Sequence, residues 1–191
     1  MFKDLVIANR SFRRFKENHV VSEEILSRLI ELARLTPSAA NFQPLKYYIS
    51  NKTEINNKIF PNIAWARALK EWGGPKEGER PSAYVIICLD TAISITTNCD
   101  HGIAAQTILL GAVENGLGGC MIGSFNKPKV AEEFNLPEGI EPILIIALGK
   151  PAEEVVLEEV NEQNGSTDYY RDNKDIHHVP KRKLKDIIRW L

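Results

Sequence analysis

Residues 98–125, NCDHGIAAQTILLGAVENGLGGCMIGSF, decide how the rest of the chain is organised. Asn98 or Asp100 can cap a helix whose next residues (Ile103, Ala104, Ala105, Ile108, Leu109, Leu110, Ala112, Val113) are apolar or small almost all the way round. Such a helix has no wide solvent face, so it belongs in a domain core or between two subunits. Asp100, His101, Gln106 and Glu114 interrupt it well short of the roughly 18 apolar residues that a membrane span requires. Asn115-Gly116 ends the helix, since glycine readily takes the left-handed conformation of a helix stop. Gly118, Gly119, Gly123 and Ser124 then surround a short apolar strand at 120–122, leaving backbone bare to whatever packs there. A flat cofactor edge fits that description, and so does an ordinary tight connection after a core helix.

A chain of 191 residues with 43% hydrophobic content suits one domain with a sizeable core. Lys plus Arg (24) nearly balance Asp plus Glu (25), so no global basic field points to nucleic acid or an acidic membrane surface. Any anion site must be local. Cys88, Cys99 and Cys120 are widely spaced, with no CxxC and no histidine at metal-ligand spacing, which argues against a disulfide framework or a metal site. The N-terminal MFKDLVIANRSFRRF carries early charges and lacks the apolar region and cleavage site of a signal peptide, so a reduced cytoplasmic setting is expected.

Residues 2–8 read as a short amphipathic helix, followed by Asn9-Arg10-Ser11-Phe12-Arg13-Arg14-Phe15. The arginines and Ser11 suit phosphate oxygens, although a short arginine cluster also suits a solvated surface. Ser22 caps a clear helix with Ile25, Leu26, Leu29, Ile30, Leu32 and Ala33 at helical spacing, ending before Pro37. The loop from Pro37 to Pro44 contains Asn41 and Gln43, whose amides can pair with a heterocycle edge or with the loop's own backbone. A strand follows at 45–50. Residues 57–72 read as a helix bearing Trp65 and Trp72, leading into a glycine-rich segment, so these tryptophans either form a substrate lid or pack a core edge. Two continuous apolar runs, 84–89 and 141–148, read as strands covered on both faces, and 127–134 as a short helix. The expected fold class is therefore an α/β or α+β sandwich. Beyond Pro151 the chain turns polar until 184–191, with too little apolar content to pack on itself, so it is expected to wrap a partner subunit.

Four motifs in this order, NRSFRRF, TPSAANFQP, GLGGCMIGSF and EPILIIALGKP, with a basic cluster VPKRK near the end, resemble the FMN-dependent nitroreductase family over nearly the whole chain. The resemblance implies a single domain over 1–191. It would be a three-layer α/β/α sandwich with a mixed, mainly antiparallel sheet, forming a homodimer whose C-terminal tails (151–181) interlock. By motif position, Arg10, Ser11 and Arg13 would contact phosphate and ribityl, with Lys181 and Arg182 closing on the phosphate. Ser38, Asn41 and Gln43 would reach the flavin of the opposite subunit, and Gly123 and Ser124 would offer backbone N–H to its N5 side. The family often carries Arg where Asn9 stands, which makes Arg14 a candidate replacement; Leu45 and Val179 stand where Trp and Lys are usual.

The implied activity is ping-pong hydride transfer from NAD(P)H through FMN to electron-poor small molecules such as nitroaromatics or quinones, with no catalytic side chain. Cys120 is then a small buried hydrophobe, and His101, His177 and His178 are structural or solvated. Alternatives are a non-catalytic flavin-binding or storage protein, or a specialised relative acting on halogenated or flavin substrates.

Overall fold

The computed structural model describes residues 1–66, 68–69, 71–161 and 165–191. Its main sheet has four antiparallel strands in the order β1-β2-β4-β3, formed by β1 (Leu45–Ser50), β2 (Ala83–Asp90), β3 (Gly118–Ile122) and β4 (Ile140–Gly149). The two continuous apolar runs are its central strands, paired with Val85 opposite Ile146 and Ile86 opposite Ile145.

Alternation along these strands feeds two cores. Val85, Ile87, Ile146 and Leu148 join α2 (Glu23–Arg34) and α4 (Asp100–Glu114) on one face, through Leu26, Leu29, Ala105 and Ile108. Tyr84, Ile86, Cys88, Ile145 and Ala147 face Phe15, Ile59 of α3 (Thr53–Ile59) and Val130 of α5 (Lys127–Glu133) on the other. A sheet filled on both sides needs no polar alternation, and the result is the expected sandwich.

Local signals explain several boundaries. Ser22 Oγ accepts from Ile25 N at 3.2 Å and starts α2. Gly116, at φ +69, follows α4. At the other end of α4 the structure corrects the expected cap: Cys99 holds that position without a side-chain bond, and Asp100 lies inside the helix with its carboxylate turned to another loop. A second correction concerns the helix read over 57–72. Helix α3 ends at Ile59, a single 3-10 turn carries Phe60–Asn62, and Ile63 bridges to Phe125 beside β3. Pro61 cannot donate to a continuing helix, and the described residues from Ala64 to Trp72 are irregular. Arg67 and Lys70, also in that reading, lie outside the described residues.

The N-terminal helix α1 (Phe2–Ala8) delivers the arginine segment to β3: Ser11 bridges Gly119, and Phe12 N donates to the Gly119 carbonyl at 3.0 Å. Glycine is required for this approach. A Cβ on Gly118 would overlap the Phe12 ring, and one on Gly119 would overlap the Ala147 carbonyl oxygen. The bare backbone noted at 118–119 is thus filled by the chain's own N-terminal segment.

The polar tail forms a second sheet, β5-β7-β6, from β5 (Val155–Glu159), β6 (Tyr170–Arg171) and β7 (His177–Lys181), with β5 and β7 parallel. Ion pairs and stacking stand in for an apolar core. The Glu153 carboxylate, 2% exposed, pairs with Arg171 and accepts from the backbone of Arg13 and Arg14. His178 lies between Glu158 (3.1 Å) and Asp172 (3.3 Å), stacked on Tyr170. Only Leu184–Ile187 of the terminal segment is helical, as α6. Among the described residues no helix is long and apolar enough to cross a membrane.

Candidate functional site

Both ends of the chain meet at one cleft of about 610 Å³. From the N-terminal segment it is lined by Asn9, Arg10, Ser11 and Arg13; from the tail by Thr167, Tyr169, His177 and the run from Val179 to Arg182; and from α4 and β3 by Gln106, Leu109 and Met121. Four of these side chains are cations, Arg10, Arg13, Lys181 and Arg182, and among the described lining residues none is an Asp or Glu. The volume falls within the range of small-molecule sites.

Two of these cations, Arg10 and Arg13, are held by their own surroundings. Arg10 donates to the Val6 carbonyl at 2.7 Å, while its Nε is buried without a partner. Burial lowers its pKa, which marks a cation lacking counter-charge. Arg13 lies over the Tyr169 ring at 4.8 Å and donates to the Ser11 carbonyl at 3.2 Å and to His177 Nε2 at 3.3 Å. His177 is 1% exposed, and burial, reinforced by the Arg13 charge, pushes its pKa down to about 4. A neutral imidazole therefore accepts from the guanidinium. An anionic group fits this wall: it would meet four cations and the Ser11 hydroxyl, and would supply the counter-charge that Arg10 lacks.

Arg14 is not brought into the cleft. It pairs with Asp175 and with Glu79 (3.6 Å) and lies 5.8 Å over Trp72, so the missing cation at Asn9 is not replaced from there. Trp65 and Trp72 do not line the cleft either. They meet edge to face at 6.4 Å, and Trp72 also receives Arg171 at 5.6 Å. Ser38 and Gln43 border a separate pocket of about 140 Å³ with Tyr47 and Asp100, and exposed Asn41 lies between them in the chain. Gly123 and Ser124 are exposed past the end of β3, where Ser124 O accepts from Ala64 N at 2.9 Å and a Cβ on Gly123 would meet open space.

Burial pushes the thiols of Cys120 and Cys88 up to about 12, so neither is a nucleophile at neutral pH. His101 Nδ1 pairs with Thr97 Oγ1 at 2.8 Å. Among the described residues no group of three or more His, Cys, Asp or Glu is placed to hold a metal. Sequence reasoning missed His177, Tyr169, Thr167, Gln106 and Met121 as cleft walls. One signal was available: His177, Val179 and Lys181 share the two-residue spacing of one strand face.

The profile of the Nitroreductase family matches residues 7–150, which span the arginine segment, the 38–43 loop and the whole main sheet. The chain belongs to the nitroreductase family. That membership places it among oxidoreductases. It is 27% identical over 157 residues to a Methanothermobacter thermautotrophicus protein provisionally named NADH dehydrogenase/NAD(P)H nitroreductase, covering 78% of this chain and 77% of that one. It is 25% identical to the oxygen-insensitive NADPH nitroreductase of Helicobacter acinonychis over 80% of this chain and 88% of the relative. Among solved structures, an FMN-dependent nitroreductase of Clostridium difficile R20291 superposes with TM-score 0.64 at 23% identity, covering 78% of this nitroreductase and 87% of the other chain. A nitroreductase family protein of Clostridium difficile 630 superposes with TM-score 0.70 at 22% identity, over 98% and 96% of the two chains.

Proposed function

We propose that this nitroreductase is an FMN-dependent NAD(P)H oxidoreductase for electron-poor small molecules, working as a homodimer. The observation that carries the reading is the convergence of Arg10, Ser11, Arg13, Lys181 and Arg182 on a cleft without a carboxylate among its described lining residues. Bound FMN would supply the redox chemistry, taking hydride from NAD(P)H and passing electrons to an acceptor such as a nitroaromatic or a quinone.

The chain's own residues bind and orient. Arg10, Arg13, Lys181, Arg182 and the Ser11 hydroxyl would hold the phosphate through charge-assisted bonds. Backbone N–H groups of Gly123 and Ser124 would offer fixed dipoles where negative charge develops, with no reorganisation needed. Neutral His177 keeps Arg13 in the wall without competing for the anion.

Two observations support the dimer. Ile103, Gln106 and Leu110 of α4 are left wholly or partly uncovered in one chain, on a helix whose other side is core. The 38–43 loop borders a pocket distinct from the cationic cleft, so its amides would serve a site completed by a second chain.

The test is spectroscopic. The purified or FMN-reconstituted protein should be yellow, bleach anaerobically with NADH or NADPH, and regain colour with menadione or nitrofurazone. A folded dimer that stays colourless through reconstitution refutes the cofactor. A yellow protein inert to both nucleotides refutes the activity and leaves a flavin-binding protein.

A further inference from the structure

We propose that Asp100 is a positioning residue, whose buried carboxylate braces the 38–43 loop in a left-handed shape that presents Asn41 and Gln43 to the cofactor across the subunit seam. The proposal rests on the FMN reading above and deepens it. Asp100 is the first residue of α4 and is 5% exposed. One of its oxygens accepts from Ser38 Oγ at 2.6 Å, and the other accepts from Ala39 N at 3.0 Å. Ser38 Oγ in turn accepts from Gln43 N at 2.9 Å, so both ends of the loop are tied to one carboxylate.

Between these ties the backbone turns left-handed three times, at Ala40 (φ 48), Asn41 (φ 56) and Gln43 (φ 54). Asparagine tolerates this region, whereas alanine and glutamine enter it at a steric cost. Such conformations persist where surrounding bonds over-determine them. Here those bonds converge on Asp100, at the start of the 15-residue helix α4. The brace also reassigns Ser38. Its single O–H is committed to Asp100, so it has no proton to donate to a ligand; Gln43 Nε2 gives one hydrogen to the Asn41 carbonyl at 3.3 Å, and the Asn41 amide with the rest of the Gln43 amide remain as the contacts the exposed loop offers.

Two readouts test the brace, one with FMN and one without. By flavin fluorescence titration of the dimer, Asp100→Ala should raise the FMN Kd about tenfold or more, and Asp100→Asn, which keeps an oxygen for Ala39 N–H, by clearly less. Adding Ala40→Gly to Asp100→Ala should recover much of the affinity, because glycine takes the left-handed region without steric cost. A carboxylate that only stabilised the fold would lower the melting temperature, and a glycine at 40 would not restore the Kd. Without FMN, chymotrypsin should cut after Phe42, 56% exposed, several-fold faster in Asp100→Ala than in wild type. Wild-type Kd in folded Asp100→Ala, no recovery with Ala40→Gly, or unchanged cleavage would each overturn the proposal. Should Asp100→Ala fail to fold, Ser38→Ala, which removes the Ser38–Asp100 and Gln43–Ser38 bonds and leaves the one from Ala39 N to Asp100, must raise Kd and cleavage or the proposal falls. If wild type itself binds no FMN, the cofactor reading fails, and the cleavage comparison still judges the brace.

Discussion

Acidification should destabilise this nitroreductase through one buried imidazole. His177 is 1% exposed, its Nδ1 has no partner, and Arg13 stands 3.3 Å from its Nε2. Burial first, and then the Arg13 charge, lower its pKa from 6.5 to about 4, with Glu153 offsetting part of the effect. The folded-state pKa lies below the unfolded one, so between those values the unfolded chain holds more protons and stability rises with pH. The loss begins as pH falls past 6.5 and is complete near 4. A difference of 6.5 minus about 4 corresponds to roughly 3 kcal/mol in full. Of this, about 2 kcal/mol should be lost between about pH 7 and pH 5. The assay is urea unfolding at both pH values for wild type and His177→Phe, whose ring can keep the tilted contact with Tyr169 (centroids 5.3 Å apart). Carboxylates titrate in both proteins, so the difference between the two pH-induced losses isolates the imidazole. Equal losses would refute the assignment of His177 as a buried neutral acceptor for Arg13.

Arg13→Ala and Lys181→Ala should each weaken FMN binding about 10- to 100-fold, since a charge-assisted bond contributes roughly 1.5–3 kcal/mol; unchanged affinity in equilibrium dialysis would remove both from the phosphate site. Gly119→Ala should destabilise the fold by about 1–3 kcal/mol in a thermal melt, because the new Cβ meets the Ala147 carbonyl oxygen and backbone cannot swing away. His178 titrates with the opposite sign to His177. Burial alone would lower its pKa, but hydrogen bonds to Asp172 and Glu158 outweigh that and raise it, so its stabilising contribution is present below 6.5 and disappears as pH rises through the raised value. Hydrogen exchange in β5–β7 should therefore quicken on the alkaline side, and a His178→Phe variant should lack that step.

Much of the framework was legible from short-range pattern alone. The apolar runs at 84–89 and 141–148 have no polar alternation, and a strand of that kind is stable only with both faces covered, so they had to be central. Ser22 before two glutamates and a helical stripe left one reading for α2. Motif order located the cationic segments at both ends of the chain.

The partnerships of individual side chains were decided by tertiary structure. Arg13 and Arg14 are neighbours of identical chemistry, yet one faces the cleft and the other goes to Asp175 and Trp72, because successive residues of an extended segment point to opposite sides. Asp100 read as a cap, since local spacing cannot show that a loop 61 to 62 residues earlier brings Ser38 and Ala39 to its carboxylate. The tail read as too polar to pack, because hydrophobic content is visible in composition, whereas Glu153 meeting Arg171 and His178 seated between Glu158 and Asp172 are not. Backbone periodicity and apolar burial are local and additive, so the sequence determined them by itself. The pairing of charges and amides depends on distances that exist only after the chain has closed on itself, and that part was settled by the fold.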